Sequence, residues 1–209
     1  MKTILCYGDS NTWGSDPETG ERFAPEVRWP GVMARKLGDG FHVIEEGLPG
    51  RTTVWEDPIE GHYKDGRAYL MPCLESHRPV DLVTIMLGTN DLKERFATRA
   101  SDIAQAAASL AEMASRSRCG PGNGEPLVLL ISPPPVGRLT DLAGMFRGAE
   151  EKSRGFSEHY RRNAENEGCG FLDAGEYIAS SNIDGIHLEA EAHRNLGGAV
   201  AGRVREMLG

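Results

Sequence analysis

The sequence has no long hydrophobic run and no excess of positive charge. Its longest apolar segments, 83–87 and 127–131, span five or six residues, whereas a membrane helix needs about 20. Lys and Arg number 23 against 31 Asp and Glu, a net charge of −8, which disfavours nucleic acid and anionic lipid as partners. The N-terminus also lacks the apolar core, about 7–15 residues long, of a secretion signal. We therefore expect no membrane span, no nucleic-acid partner and a cytoplasmic location.

Cysteine pairs are also missing. The four cysteines lie far apart, at positions 6, 73, 119 and 169, and no Cys-x-x-Cys motif occurs. Spacings typical of a zinc site are absent, so the sequence predicts no structural metal site. Free thiols in a reducing compartment are the simplest interpretation.

Short apolar runs alternate with helical segments along the chain. Strands are predicted at residues 3–7, 41–46, 81–87, 127–132 and 170–173. The third and fourth are apolar without alternation, which is typical of strands covered on both faces. The length of 209 residues predicts one domain, residues 1–209. The alternation of strands and helices predicts a three-layer α/β/α fold around a five-stranded, flavodoxin-like parallel sheet.

Helices are predicted between these strands. They cover residues 30–37, 101–118, a charged stretch within 147–167, and 189–208. Three glycines in the last helix lower its helix propensity, so we expect close packing there. Long irregular segments, which are often functional, are predicted at 16–28, 52–67, 119–126 and 133–146.

Short polar motifs follow the first three strands and precede the last helix. They are Gly8-Asp9-Ser10-Asn11, Gly47 to Thr52, Gly88-Thr89-Asn90-Asp91 and Asp184-Gly185-Ile186-His187. Each motif alone is ordinary turn chemistry. Ligands bind at the carboxyl ends of the strands in such sheets, so together the motifs predict a site there.

With these motifs the chain resembles the SGNH hydrolases, also called GDSL esterases, and is especially similar to their small bacterial arylesterase/acyltransferase subgroup. The resemblance spans nearly the whole length and rests on Gly8 to Gly14, Glu45 to Leu48, Arg51 to Thr53 and Met86 to Asp91. Asn11 replaces the leucine of the GDSL motif. The resemblance implies an SGNH hydrolase fold and a serine esterase that needs no metal or organic cofactor.

The residues themselves fit acyl transfer, which needs a nucleophile, a base and a group that orients the base. Ser10 is the candidate nucleophile and His187 the candidate base. Asp184, three residues before His187, can hold the ring. No Gly-x-Ser-x-Gly elbow is present, which separates this chain from the α/β-hydrolases.

The oxyanion hole is predicted to combine the backbone N–H of Ser10, the backbone N–H of Gly50 and the side-chain amide of Asn90. The resemblance favours Gly50, and Gly47 remains the alternative. Asp9 and Asp91 are interpreted as structural hydrogen-bonding residues.

Four further residues are candidates for substrate binding, namely Asn11, Trp13, Thr89 and Ile186. Trp13 fits the core equally well. The predicted substrate is a small carboxylic ester, with an aryl or short acyl group, and the resemblance adds acyl transfer or perhydrolysis as further activities.

Other functions stay open at this point. The ester class is alternatively an acetylated carbohydrate or a lysophospholipid. A distant alternative is a non-catalytic, flavodoxin-like binder of a phosphate or cofactor at residues 8–12. The resemblance also implies a homo-oligomer, with residues 133–146 as a candidate contact segment near the active-site mouth.

Overall fold

Five parallel strands form one sheet in the order β2-β1-β3-β4-β5 in the computed structural model, which describes residues 1–209. The strands are β1 (Lys2–Gly8), β2 (Phe41–Gly47), β3 (Leu82–Met86), β4 (Leu127–Ser132) and β5 (Gly170–Asp173). In the central register Cys6 of β1 lies opposite Glu45 of β2 and Thr84 of β3. The predicted α/β fold with a five-stranded parallel sheet is confirmed.

The chain also forms seven α-helices. They are α1 (Ser10–Trp13), α2 (Trp29–Leu37), α3 (Gly66–His77), α4 (Ala100–Ser115), α5 (Ala149–Ser153), α6 (Phe156–Glu167) and α7 (Ala190–Leu208). The helical stretch predicted within 147–167 is two helices, since α5 ends before Gly155 and α6 begins after it. None of the helices combines the length and the apolar composition that crossing a bilayer requires.

Helix α3 was not predicted from the sequence. Its first residue is Gly66 and its interior contains Pro72, and both residues disfavour a helix. The Asp65 side chain caps the helix by accepting a hydrogen bond from the Arg67 N–H. Leu70 and Leu74 are fully buried, so core packing outweighs the local propensity.

The two faces of the sheet carry separate cores, because neighbouring strand residues point to opposite sides. Leu5 and Tyr7 belong to the core beneath α3, α4 and α6. Ile4 and Cys6 belong to the core beneath α2 and α7. This alternation explains why β1, β3 and β4 are apolar at nearly every position, as expected for strands covered on both faces.

The glycines of α7 differ in their surroundings. A Cβ on Gly197 would lie 2.7 Å from the Trp29 carbonyl oxygen and from Val32 of α2, whereas one on Gly202 would meet nothing within 4 Å. Close helix packing is therefore confirmed at Gly197 and wrong at Gly202.

Candidate active site

Ser10 is the first residue of α1, directly after the carboxyl end of β1. The Asp9 side chain caps this short helix by accepting a hydrogen bond of 2.9 Å from the Asn11 N–H. Gly8 must be small, because a Cβ there would lie 2.0 Å from Thr12 Oγ1. The serine is therefore held at the strand end by a tight turn, and it is 5% exposed.

The loop before α7 carries Asp184 and His187. One carboxylate oxygen of Asp184 accepts hydrogen bonds from the N–H groups of Ile186 and His187, at 2.8 and 2.9 Å. Its other oxygen lies 2.5 Å from His187 Nδ1. Gly185 has a φ of +83°, a left-handed conformation that glycine adopts readily. The loop thus folds the carboxylate back onto the ring that follows it.

The loops that carry Ser10 and His187 are in contact, although the two residues are 177 positions apart in the sequence. His187 Nε2 lies 3.0 Å from Ser10 Oγ, and Asn11 Nδ2 donates a hydrogen bond of 3.2 Å to the Ile186 carbonyl oxygen. With Nδ1 donating to Asp184, Nε2 of the neutral ring is free to accept the serine proton. The geometry suits deprotonation of Ser10 as it attacks.

The electrostatics keep Asp184 ionised. Burial alone would raise the pKa of this carboxyl, but the hydrogen bonds from the His187 ring and from two backbone N–H groups outweigh it. The pKa of Asp184 is therefore below its usual value. An ionised carboxylate stabilises the imidazolium that forms when the ring takes a proton.

The residues predicted to form the oxyanion hole lie around one cavity. The N–H groups of Ser10 and Gly50 make no hydrogen bond to the backbone, and both residues line one cavity with Asn90 and His187. The Asn90 Nδ2 donates to the Arg51 carbonyl oxygen at 3.1 Å and has a longer contact, 3.5 Å, with Asp9. The three residues that the sequence predicts for an oxyanion hole therefore line the same cavity.

The two candidate glycines of the second loop have different surroundings. A Cβ on Gly47 would lie 2.2 Å from the Trp13 backbone nitrogen, so Gly47 lets β2 pack against α1. Gly50 has a φ of +80° and lines the cavity with Ser10. This placement favours Gly50 over Gly47 as the donor.

Two buried carboxyls lie under these loops. Burial raises the pKa of Asp9 to about 6 and that of Asp91 to about 7. Asp91 accepts hydrogen bonds from the Thr53 N–H and hydroxyl, which ties the loop after β2 to the loop after β3. Both residues have the structural hydrogen bonds expected from the sequence.

The cavity at Ser10 has a volume of about 270 Å³. Four of its lining residues are apolar, namely Leu142, Met145, Phe146 and Ile186. The lining also includes the charged pair Lys93 and Glu60, whose Nζ and Oε1 atoms are 2.5 Å apart.

Lys93 and Glu60 belong to a four-membered ionic cluster at the cavity wall. Asp57 is fully buried and Lys93 is 2% exposed. Arg95 contacts both acids, at 2.9 Å from Asp57 and 2.6 Å from Glu60. Sequence reasoning missed these residues, since they lie in a loop and a turn with no periodic pattern and are brought together only by the tertiary fold.

The residues predicted to bind substrate are placed differently from one another. Ile186 lines the cavity, whereas Asn11, Trp13 and Thr89 are not among its lining residues. Asn11 is buried and bridges to the loop of Ile186. The Trp13 ring stacks against the Arg22 guanidinium at 5.0 Å.

Residues 6–194 match the family model described as GDSL-like Lipase/Acylhydrolase family. A search of the curated proteins gave no match.

Similar solved structures cover nearly the whole chain. A carbohydrate acetylesterase from Sinorhizobium meliloti is 41% identical with a TM-score of 0.95, over 99% of this chain and 100% of that one. A native aryl esterase from M. smegmatis is 43% identical with a TM-score of 0.94, over 99% of each chain.

Proposed function

The chain belongs to the GDSL-like lipase/acylhydrolase family, and on that premise we propose that Ser10, His187 and Asp184 form the catalytic triad of a serine esterase. The family resemblance seen in the sequence is confirmed, and the protein is a carboxylic ester hydrolase. One observation carries the triad: Ser10 Oγ lies 3.0 Å from His187 Nε2, while His187 Nδ1 lies 2.5 Å from Asp184.

In the proposed mechanism Ser10 Oγ attacks the ester carbonyl carbon while His187 Nε2 takes its proton. The carbonyl oxygen becomes an oxyanion and receives hydrogen bonds from the N–H groups of Ser10 and Gly50 and from the Asn90 amide. The imidazolium then gives its proton to the leaving alcohol, which produces an acyl-enzyme. Water, deprotonated by His187, attacks that acyl-enzyme and frees the acid and the serine.

The proposed substrate has a short acyl group. The cavity of about 270 Å³ is small beside the roughly 300–1,000 Å³ of sites for drug-sized ligands. Its apolar lining includes the buried Phe146 and Ile186. A long acyl chain of the lysophospholipid type exceeds this space.

A panel of nitrophenyl esters of rising acyl length tests this proposal. We expect kcat/KM to be highest for acetyl or propionyl esters and to fall as the chain lengthens, and we expect Ser10→Ala to abolish turnover. Equal or rising kcat/KM for long acyl chains contradicts the proposed pocket.

A second candidate substrate is an acetylated carbohydrate, which the charged residues that line the cavity favour. Lys93 and Glu60 line the site, and sugar hydroxyls bond well to charged groups. In this case Lys93→Met lowers kcat/KM for an acetylated sugar about tenfold more than for an aryl acetate, since one hydrogen bond to a charged group contributes about 1.5–3 kcal/mol. Equal losses on both substrates favour the aryl ester.

The flavodoxin-like alternative fits the geometry poorly. The helix after β1 has four residues, and its N-terminal N–H of Asn11 already donates to the Asp9 carboxylate. A phosphate at that position lies beside a buried acidic group, which disfavours its binding.

A homo-oligomer is also part of the proposal. Within the candidate contact segment Pro133 and Pro134 are buried, whereas Met145 is 38% exposed. Met145 also lines the cavity. A second copy packed against this residue would narrow the entrance to the site.

A further inference from the structure

Three side chains of different chemistry converge on the face of the sheet covered by α3, outside the cavity at Ser10. They are Glu46 near the end of β2, and Cys73 and His77 on α3. Each offers one ligand atom, and the three atoms lie within 4.8 Å of one another. The esterase mechanism uses none of them.

The helix places two of these residues on one side. Cys73 and His77 are four positions apart, so their side chains lie on the same helix face, one turn from each other. Glu46 approaches from the strand, and its Oε1 atom is 2.7 Å from His77 Nε2. The side chains of Glu46 and His77 are 20% and 31% exposed, whereas Cys73 is buried. The cluster therefore has a closed side and an open side.

From this geometry we propose that Glu46, Cys73 and His77 bind one zinc ion. Thiolate, imidazole and carboxylate are the three ligand types that zinc uses in proteins. Ligand atoms of a tetrahedral zinc site are roughly 3.3–3.8 Å apart, given bonds of about 2.0–2.3 Å. The observed spacing needs shifts of about 1 Å, which the partly exposed Glu46 and His77 can make.

The choice of zinc follows from the ligands. Calcium and magnesium prefer all-oxygen sites, and a buried thiol with an imidazole favours a softer ion. On binding, the Cys73 thiol loses its proton to solvent as the Zn–S bond forms. The open side of the cluster leaves a fourth position for water.

The occupied site is neutral. Arg51 lies beside it, and its Nη1 donates to the carbonyl oxygens of Gly8 and Glu46. A thiolate and a carboxylate together balance the charge of a divalent ion, so zinc binding with loss of the thiol proton changes the charge of the cluster from −1 to 0. This assignment departs from the sequence-based expectation of no metal site, since a Cys and a His on one helix gain their third ligand only through the fold.

Zinc at this position would tie α3 to β2 beside the loop that carries Gly50. We therefore expect a zinc-dependent rise in Tm of the metal-free, reduced full-length protein, growing with zinc concentration as for any ligand that binds the folded state.

Cobalt titration of the same protein tests the ligands directly. We expect a near-ultraviolet thiolate-to-cobalt charge-transfer band that saturates at one equivalent and disappears when zinc is added. Cys73→Ser should lose the band. His62→Asn is the matched control, because His62 forms a similar pair with Glu56 at 2.8 Å on the exposed surface, and it should keep the band.

A second variant guards against misfolding of the core cysteine variant. His77 is partly exposed, so its replacement disturbs the core less than replacement of Cys73. We expect His77→Asn to weaken zinc binding by at least about tenfold, because even changes outside the ligand set lower metal affinity by about 10–100-fold. The proposal is overturned by the absence of a cobalt–thiolate band, by a band that persists in Cys73→Ser, or by unchanged zinc affinity in His77→Asn. Each readout is independent of esterase activity.

Discussion

Asn90 shows how one side chain serves both the structure and the proposed chemistry. Its amide nitrogen donates to the Arg51 carbonyl oxygen at 3.1 Å and has the longer, 3.5 Å contact with Asp9. In the proposed mechanism the oxyanion takes the place of the longer contact with Asp9. The short bond to Arg51 keeps the amide in place while this exchange occurs.

Replacement of Asn90 by Ala tests that role. We expect kcat to fall by about 10²–10³-fold with a smaller change in KM, because the lost donor acts mainly on the transition state. The check is steady-state kinetics on a nitrophenyl acetate. Asn163→Ala on α6 is the control, since this side chain only bonds to the His159 carbonyl oxygen. A decrease in kcat of less than threefold for Asn90→Ala removes this amide from the mechanism.

At the residue scale the sequence predicted the groups that stand in recognisable motifs. The structure brings Ser10, Asp184 and His187 into contact. The charged wall of Lys93 and Glu60 was not predicted, because 33 positions separate the two residues and no local pattern marks either one. A side chain that reaches a cavity from a loop leaves no periodic signal.

At the scale of elements, α2 and α7 are joined by one buried histidine. The Trp29 N–H, at the start of α2, donates to His193 Nδ1 at 3.3 Å. The preceding residue, Arg28, makes no side-chain hydrogen bond that caps this helix. The imidazole of His193, on α7, accepts the capping hydrogen bond instead. The Phe23 ring packs edge-on against it, with centroids 5.5 Å apart. The hydrogen bond from the Trp29 N–H requires a neutral His193 ring, because Nδ1 must be unprotonated to accept it.

Stability should therefore depend on pH through His193. Burial, followed by the nearby charges of Arg28 and His187, lowers the pKa of His193 from 6.5 to about 4. The unfolded chain binds the extra proton between these values, so stability is fully present above about pH 6.5 and falls as the pH drops towards 4, by about 1.4 kcal/mol per unit.

The measurement compares the free energy of unfolding of the wild type and of His193→Gln at several pH values. Asp9 and Asp91 have raised pKa values and act in the opposite direction, but they are present in both proteins. We expect the wild type to lose stability relative to the variant between about pH 6.5 and 4. A constant difference over this range means that His193 does not titrate as proposed.

The sequence predicted most elements because their hydrophobic period is clear. Residues 127–132 and 170–173 are strands with the predicted ends, and Ile103, Ala107, Leu110 and Ala114 form the buried stripe of α4. The sequence does not predict helix α3, because Gly66 and Pro72 lower its helix propensity and interrupt its hydrophobic pattern. Burial of its apolar side chains in the core stabilises the helix despite this low propensity.

At the scale of the whole molecule, a parallel sheet collects distant loops at one edge. The loops after β1, β2 and β3 and the loop before α7 all meet at the carboxyl ends of the strands. Ser10 and His187 are nearly the full chain apart, so their contact depends on the complete fold. The site therefore forms only when the whole chain is folded.

Assembly of copies is the second property at this scale. We expect multi-angle light scattering to show a homo-oligomer, and Met145→Glu to shift it towards the monomer, because a charge at the cavity rim disfavours burial in an interface. Tyr177→Glu is the control, as Tyr177 is exposed and lies outside residues 133–146. A wild-type protein that is monomeric at all working concentrations contradicts the proposed contact.

Mass spectrometry after treatment with an organophosphonate tests the proposed triad most directly, since the reagent reports an activated hydroxyl and its position. We predict one adduct, on Ser10, in the wild type and in the His159→Ala control, and none in Ser10→Ala or His187→Ala under the same conditions. An adduct on a different residue, or undiminished labelling of Ser10 in His187→Ala, would contradict the pairing of this serine with this histidine.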